Sequence, residues 1–272
     1  MLIEHQLFGL VNNPATAIER LKTFEAQALA KHPDGYYVAF SGGKDSIVLL
    51  DLVRRAGVKH TAHFHLTTVD PPELIRYVRK HYPDVILEHA PMSMWQLIKK
   101  KMVPPTRIVR YCCEHLKERG GTGRIVVTGV RWAESVKRSN RAMVEACSRN
   151  ASKSFLHPII DWTDADVWQY IRENKMPYCC LYDEGFKRIG CIGCPMAEKL
   201  RYKEFARWPQ YERLYRKAFS EAVALAKASG VYAERQKKHG ANHLRWSTGD
   251  AMFRWWMQEN KKTDSDQCVL FE

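Results

Sequence analysis

The chain has 272 residues, with 43 Lys and Arg against 30 Asp and Glu and a net charge of +13. That length is generous for one domain, and the charge points to an anionic partner larger than a lone nucleotide, nucleic acid first. No run of about 18 apolar residues is present to span a bilayer, and Met1-Leu2-Ile3-Glu4-His5-Gln6 lacks the basic and apolar regions of a signal peptide, so a cytoplasmic protein with no membrane partner is expected.

Apolar periodicity predicts a helix over 14–31, then a short strand over 36–40 that runs into Ser41-Gly42-Gly43-Lys44-Asp45-Ser46 and a helix over 45–56. A strand, a Gly-rich turn and a helix start make a phosphate site. Gly42 and Gly43 have no Cβ, so backbone N–H groups can approach an anion, and the helix points its positive end at the same spot. Ser41 and Ser46 add hydroxyls and Lys44 a point charge. The common P-loop is excluded, because Asp45 follows Lys44 and Val38 stands where its first glycine would be.

Further along, a strand is expected over 61–66, a helix over 71–81 with Pro71 and Pro72 at its start, a strand near 85–88, a helix over 93–101 and a strand over 124–128. Strands separated by helices imply a parallel sheet, whose ligand lies beyond the carboxyl ends of the strands. The loop, Thr67-Thr68-Val69-Asp70 and Thr128-Gly129-Val130-Arg131-Trp132-Ala133-Glu134-Ser135 should therefore converge. From about 153 the pattern changes. Asp161-Trp162-Thr163-Asp164 reads as the cap of a helix near 163–174, followed by a Cys-rich loop to about 195 and a basic helical region. The expected division is a nucleotide-binding domain over 1–160 and a Cys-rich, basic segment over 161–272.

Eight cysteines in a cytosolic chain argue for metal-binding thiols over disulfides. Six are clustered, as Cys112-Cys113, Cys179-Cys180 and the Cys191-Ile192-Gly193-Cys194 loop, in which Gly193 permits a tight turn and Pro195 stiffens the exit. Thiolate sets of this kind suit iron–sulfur and zinc alike. Cys179 and Cys180 are open as ligand, sulfur carrier or apolar filler, and Cys147 reads as structural. Between Lys199 and Lys262, basic residues including Arg201, Lys203, Arg207, Arg213, Arg216, Lys237, Lys238 and Arg245 alternate with Trp208, Tyr211, Tyr215, Trp246, Trp255 and Trp256. Basic groups of this kind bind phosphates, and aromatics stack on bases or fill a core.

Ser41-Gly42-Gly43-Lys44-Asp45-Ser46 after a strand resembles the pyrophosphate loop of the ATP pyrophosphatases, which split ATP between its α and β phosphates. Together with Gly129-Val130-Arg131, Glu134-Ser135, Arg138, Pro158 to Thr163, Leu181 to Gly185 and Ile189 to Cys194, it resembles the phosphoadenosine phosphosulfate reductase family over about residues 30–200. The resemblance implies a Rossmann-like adenine nucleotide alpha-hydrolase fold with a parallel sheet. It also implies an ATP site of Ser41, Gly42, Gly43, Lys44, Asp45, Ser46, Asp70, Gly129, Arg131, Glu134 and Ser135. Lys44, Asp45 and Arg131 would then be catalytic, with Mg²⁺ on Asp45, Arg131 facing the phosphates, and Glu134 orienting Arg131 or lying near the metal. Cys112, Cys113, Cys191 and Cys194 resemble the [4Fe–4S] ligands of one branch of the family.

A reductase of that family carries a near-terminal Glu-Cys-Gly-Leu-His, whereas this chain has Gln267-Cys268-Val269-Leu270. The resemblance therefore leans to the ATP-cleaving branch: adenylylation of a substrate oxygen for sulfur incorporation, as in DNA phosphorothioation, with a cysteine desulfurase as donor and other modification-complex subunits as partners. Phosphoadenosine or adenosine phosphosulfate reduction is the alternative, and tRNA thiolation uses the same ATP chemistry.

Overall fold

In the computed structural model, residues 2–6, 9–147, 150–239 and 246–258 are described. Cys268 and Arg245 lie outside them. The elements in chain order are β1 (Ile3–Gln6), β2 (Gly9–Asn12), α1 (Asn13–Thr23), α2 (Glu25–Lys31), β3 (Tyr36–Ala39), α3 (Lys44–Ala56), β4 (His60–Leu66), α4 (Pro72–His81), β5 (Ile86–His89) and α5 (Met94–Lys101). There follow α6 (Tyr111–Leu116), β6 (Ile125–Val127), α7 (Val136–Ser139), β7 (Val144–Ala146), β8 (Ser154–Leu156), α8 (Asp164–Glu173), α9 (Leu200–Arg207), α10 (Pro209–Ala228), α11 (Val231–His239) and α12 (Gly249–Gln258).

A six-stranded sheet runs in the order β5-β4-β3-β6-β8-β7. β3 pairs parallel with β4 and β6, β6 pairs parallel with β8, and β7 alone is shown antiparallel, on β8. This is the expected parallel α/β sheet. Several differences are local. The helix expected over 14–31 breaks at Phe24, whose φ of −97° and ψ of 2° end α1. The strands β1, β2, β7 and β8 and the short helix α6 were not expected.

Compactness divides the chain differently from a single cut near 160. One unit comprises Met1–His65, Pro72–Glu88 and Arg119–Gly190, the other Leu66–Pro71, His89–Glu118 and Cys191–Glu272. In the first, α3 is buried along most of its length, through Ile47, Val48, Leu49, Leu50, Leu52 and Val53, and packs on α1 and α8, with Arg54 and Arg55 exposed at its C-terminal end. The second unit is helical. Its core joins Phe205, Tyr215, Phe219 and Phe253 around Trp256, which is fully buried. No described helix is long and apolar enough to cross a membrane.

Candidate functional site

The loop between β3 and α3 is built as its residue types require. Gly42 has φ +69°, and a Cβ there would lie 2.8 Å from Leu74 and Val78 of α4, so only glycine fits. Ser46 braces the turn: its Oγ donates to the Gly43 carbonyl at 2.9 Å and accepts the Ser41 N–H at 3.2 Å. Ser46 is buried while Ser41 is exposed, yet the Ser41 hydroxyl also braces the turn, donating to Ser46 Oγ at 3.2 Å and accepting the Gly43 N–H at 3.4 Å. The Gly129 backbone passes so close that a Cβ would meet the Asp45 carbonyl group at 3.0 Å. The segments after β3 and β6 thus converge, as expected for a parallel sheet.

Four charges meet at the head of α3. Arg131, with no exposed side-chain surface, donates Nε to Asp45 Oδ1 at 2.8 Å and Nη1 to the Trp162 carbonyl at 3.0 Å, and its Nη2 pairs with Asp164. Lys44 Nζ lies 3.1 Å from Asp45 Oδ2 and 3.3 Å from Asp164 Oδ1. Burial would raise the Asp164 carboxyl, but Arg131 and Lys44 overcome it and hold that carboxyl below the usual carboxylate range. Burial likewise works against the Arg131 cation, and Asp45, Asp164 and Glu134 more than restore it. The Glu134 carboxylate accepts the Arg131 backbone N–H at 3.0 Å and pairs with Arg138, so it orients the Arg131 backbone and leaves the guanidinium to the aspartates. Ser135 caps α7 at an exposed position without a side-chain bond.

Asp164 and Tyr182 are the groups that sequence reasoning missed. The Tyr182 hydroxyl accepts the Lys44 N–H at 2.8 Å, at the anion-favouring end of α3. Asp164 carried only a helix-start signal, which Thr163 fulfils by capping α8 with Asp166 in a reciprocal box. Nothing in the order of residues points either group at a loop more than a hundred positions away.

Asp70 belongs to the second unit, where its carboxylate closes a turn on the Thr67 N–H at 2.6 Å and the Thr67 hydroxyl at 2.8 Å. Beside that turn stands the Cys191–Cys194 loop. The Ile192 N–H donates to the Val69 carbonyl at 2.8 Å, the Tyr215 hydroxyl to the Ile192 carbonyl at 3.0 Å, and the Gly193 N–H to Glu204 at 2.7 Å. Gly193 has φ +75°, and a Cβ would meet Phe205 and Tyr215 at 2.8 Å. The aromatic run that alternates with basic residues is therefore largely the support of this loop. Trp208, Tyr215, Trp246 and Trp256 are buried and unavailable to bases.

Cys112, Cys113, Cys191 and Cys194 all lie in this unit, and Cys112 feels the charge of the other three. The Cys112 thiol donates to Cys113, which with Arg110 Nη2 at 3.3 Å holds the Cys113 thiol down to about 5 and pushes Cys112 up. Burial lifts Cys191 to about 11, and its Sγ lies 3.4 Å from the Thr67 hydroxyl. Lys117, which no motif announced, is drawn upward by Cys191 first, then by Asp70 and Cys194. Among the described residues no three His, Cys, Asp or Glu side chains close on a single metal position. Four thiols of this kind suit zinc and an iron–sulfur cluster alike. Cys179 and Cys180 belong to the other unit; Cys179 is fully buried, with a thiol lifted to about 11 by burial, and Cys180 is exposed.

Residues 35–197 match the family model of the phosphoadenosine phosphosulfate reductase domain. An uncharacterized protein of Methanocaldococcus jannaschii is 31% identical over 197 residues, covering 66% of this chain and 41% of that one. An adenosine 5′-phosphosulfate reductase of Allochromatium vinosum is 30% identical over 207 residues, covering 68% of this chain and 79% of its own. A phosphoadenylyl-sulfate reductase structure from Candida auris, a phosphate complex, overlays with a TM-score of 0.48 at 22% identity, over 65% of this chain and 88% of that one. The chain spans less than half the length of the first curated relatives that it matches. With that match over more than half its length, this chain belongs to the phosphoadenosine phosphosulfate reductase family, an enzyme family with an α/β nucleotide-binding fold.

Proposed function

We propose that this protein binds ATP at the Ser41–Ser46 loop, cleaves it between the α and β phosphates, and uses the adenylyl group to activate a substrate oxygen for sulfur incorporation. The observation that carries this reading is the convergence of Lys44, Asp45 and Arg131 at the positive end of α3, under a loop whose turn at Gly42 admits no side chain. The substrate oxygen attacks the α-phosphorus, the bond to the bridging oxygen breaks, and pyrophosphate leaves with that electron pair. Lys44, Arg131 and the loop N–H groups stabilise the charge that develops on it. Asp45 would hold the Mg²⁺ that accompanies ATP. A persulfide sulfur then displaces AMP from the activated carbon or phosphorus, the bond to oxygen breaking as the bond to sulfur forms, and a second thiol cleaves the sulfur–sulfur bond, leaving the product sulfur and a disulfide.

Cys112, Cys113, Cys191 and Cys194 would hold a [4Fe–4S] cluster, which supplies sulfur-handling or redox chemistry when bound. Lys117 and Arg110 offset the negative charge of the thiolates. A cysteine desulfurase is the proposed donor, and nucleic acid, DNA first, the proposed substrate. For the latter, Arg235 of α11 donates to the Lys101 and Met102 carbonyls at 3.0 and 3.2 Å, so α11 meets the basic end of α5, and Lys237 and Lys238 of α11 are exposed. Several cations on one face bind a polyanion with a strong salt dependence.

Product analysis decides the central point: AMP and pyrophosphate are expected from ATP, and ADP with phosphate, or no turnover, would refute it. Iron and sulfide assays on anaerobically purified protein test the cluster, and stoichiometric zinc in colourless protein would remove it. A second reading, reduction of adenosine phosphosulfate, draws support from the Allochromatium vinosum relative, named as such a reductase. Sulfite release from that sulfonucleotide without ATP cleavage would establish it in place of the first.

A further inference from the structure

The groups that face the loop's phosphate donors come from the protein itself. Lys44 and Arg131 supply two positive charges, and Asp45 and Asp164 supply two negative ones. The backbone N–H that opens α3 is taken by the Tyr182 hydroxyl at 2.8 Å. A polyphosphate entering this locus meets a balanced site, not a positive one.

The four charges are not equally fixed. Arg131 is wholly buried, whereas the Asp164 side chain is 71% exposed although it contacts both cations. A carboxylate already largely in water gives up its partners at small desolvation cost, and a buried guanidinium does not. Asp164 is thus the replaceable partner. Its position in the first turn of α8 gives it a favourable dipole interaction when it lets go. Tyr182 is placed by its ring, which packs edge-on to Trp168 at 5.0 Å, so its hydroxyl is held against the N–H without being charged.

We propose that Asp164 and the Tyr182 hydroxyl stand in for phosphate oxygens at the loop, so that Asp164 makes polyphosphate binding conditional on a divalent cation. The inference rests on the reading of the loop as an ATP site. A phosphate group that takes Lys44 and Arg131 leaves Asp164 and Asp45 beside it, and like charges at such distances repel unless a cation is shared among them. Ligand with Mg²⁺ is admitted, and metal-free polyphosphate is opposed. Asp164 is here a specificity-determining residue, and Tyr182 a neutral competitor for one hydrogen bond.

The test is calorimetric titration of the full chain with inorganic pyrophosphate, with Mg²⁺ and in chelator. The wild type should bind with Mg²⁺ and far more weakly without it. Asp164→Asn leaves the locus one charge more positive and should bind metal-free pyrophosphate about tenfold more tightly, narrowing the gap between the two conditions. Asp164→Glu should restore the wild-type dependence. Tyr182→Phe should tighten binding equally in both conditions, because it removes no charge. Metal-free binding that is unchanged or weaker in Asp164→Asn, with melting temperatures alike, would overturn the proposal while leaving the ATP reading intact. Failure of every variant and the wild type to bind pyrophosphate or ATP with Mg²⁺ would remove both. Pyrophosphate binding as expected without ATP cleavage would remove the proposed reaction alone.

Discussion

The two loops proposed to carry this protein's chemistry are held in opposite ways. The Ser41–Ser46 loop is braced by its own hydroxyls and by ion pairs among Lys44, Asp45, Arg131 and Asp164. The Cys191–Cys194 loop is braced by backbone bonds to Val69, Tyr215 and Glu204 over an aromatic core, and its sulfurs are left to cations. In the first, the charges proposed to do chemistry also hold the structure. In the second the two tasks fall to different residues. Substitution should therefore cost stability and binding together at the first loop and separately at the second.

The largest effect should follow Arg131→Ala. Truncation strands the buried Trp162 carbonyl and leaves Asp45 to Lys44 alone, and breaking a pair costs up to about 3–5 kcal/mol when both charges are buried. Urea unfolding should show the loss, together with loss of pyrophosphate binding. A stable variant that merely fails to bind would separate holding from chemistry and break the comparison.

Next in size is acid lability centred on His157, which is fully buried and bonded to Thr128 through Nδ1 at 2.7 Å. Burial first, then Arg141, lowers its imidazole from 6.5 to about 4. The unfolded chain binds more protons between those values, so the contribution is complete above pH 6.5 and is lost as pH falls toward 4, by at most about 3 kcal/mol. His63 and His65 are lowered with the same sign. Stability measured from pH 7 to 4 should fall, and His157→Asn should flatten the fall by its share. An unchanged profile would assign the lability to the other two.

Gly193→Ala should cost less, about 1–3 kcal/mol, by forcing a side chain into a left-handed conformation against Phe205 and Tyr215. Iron content should drop while pyrophosphate binding persists. Equal loss of both would show that the two loops are coupled.

A smaller change again is expected from replacing Lys237 and Lys238 with Glu. Each phosphate contact contributes about 0.9 to the slope of affinity against salt on duplex DNA, so the slope should flatten by about two. An unaltered slope would move the polyanion elsewhere or dismiss it.

Sequence order alone determined the parallel sheet, the loop and its glycines, the Thr163 cap and the Cys pairs, because each is written in residues a few positions apart: alternation, a turn's need for φ above zero, a cap three residues from its partner. The strands β7 and β8, without an apolar run like that of β6, were not read. How closely Gly129 passes Asp45, and that Trp208, Trp246 and Trp256 are core, were decided only when distant segments packed. So were the partnership of Asp164 and Tyr182 with Lys44 and Arg131, and that of Lys117 with Cys191. Ion pairs and buried hydrogen bonds act across space at about 3 Å irrespective of chain separation, so the charge balance of a site exists only in the folded molecule.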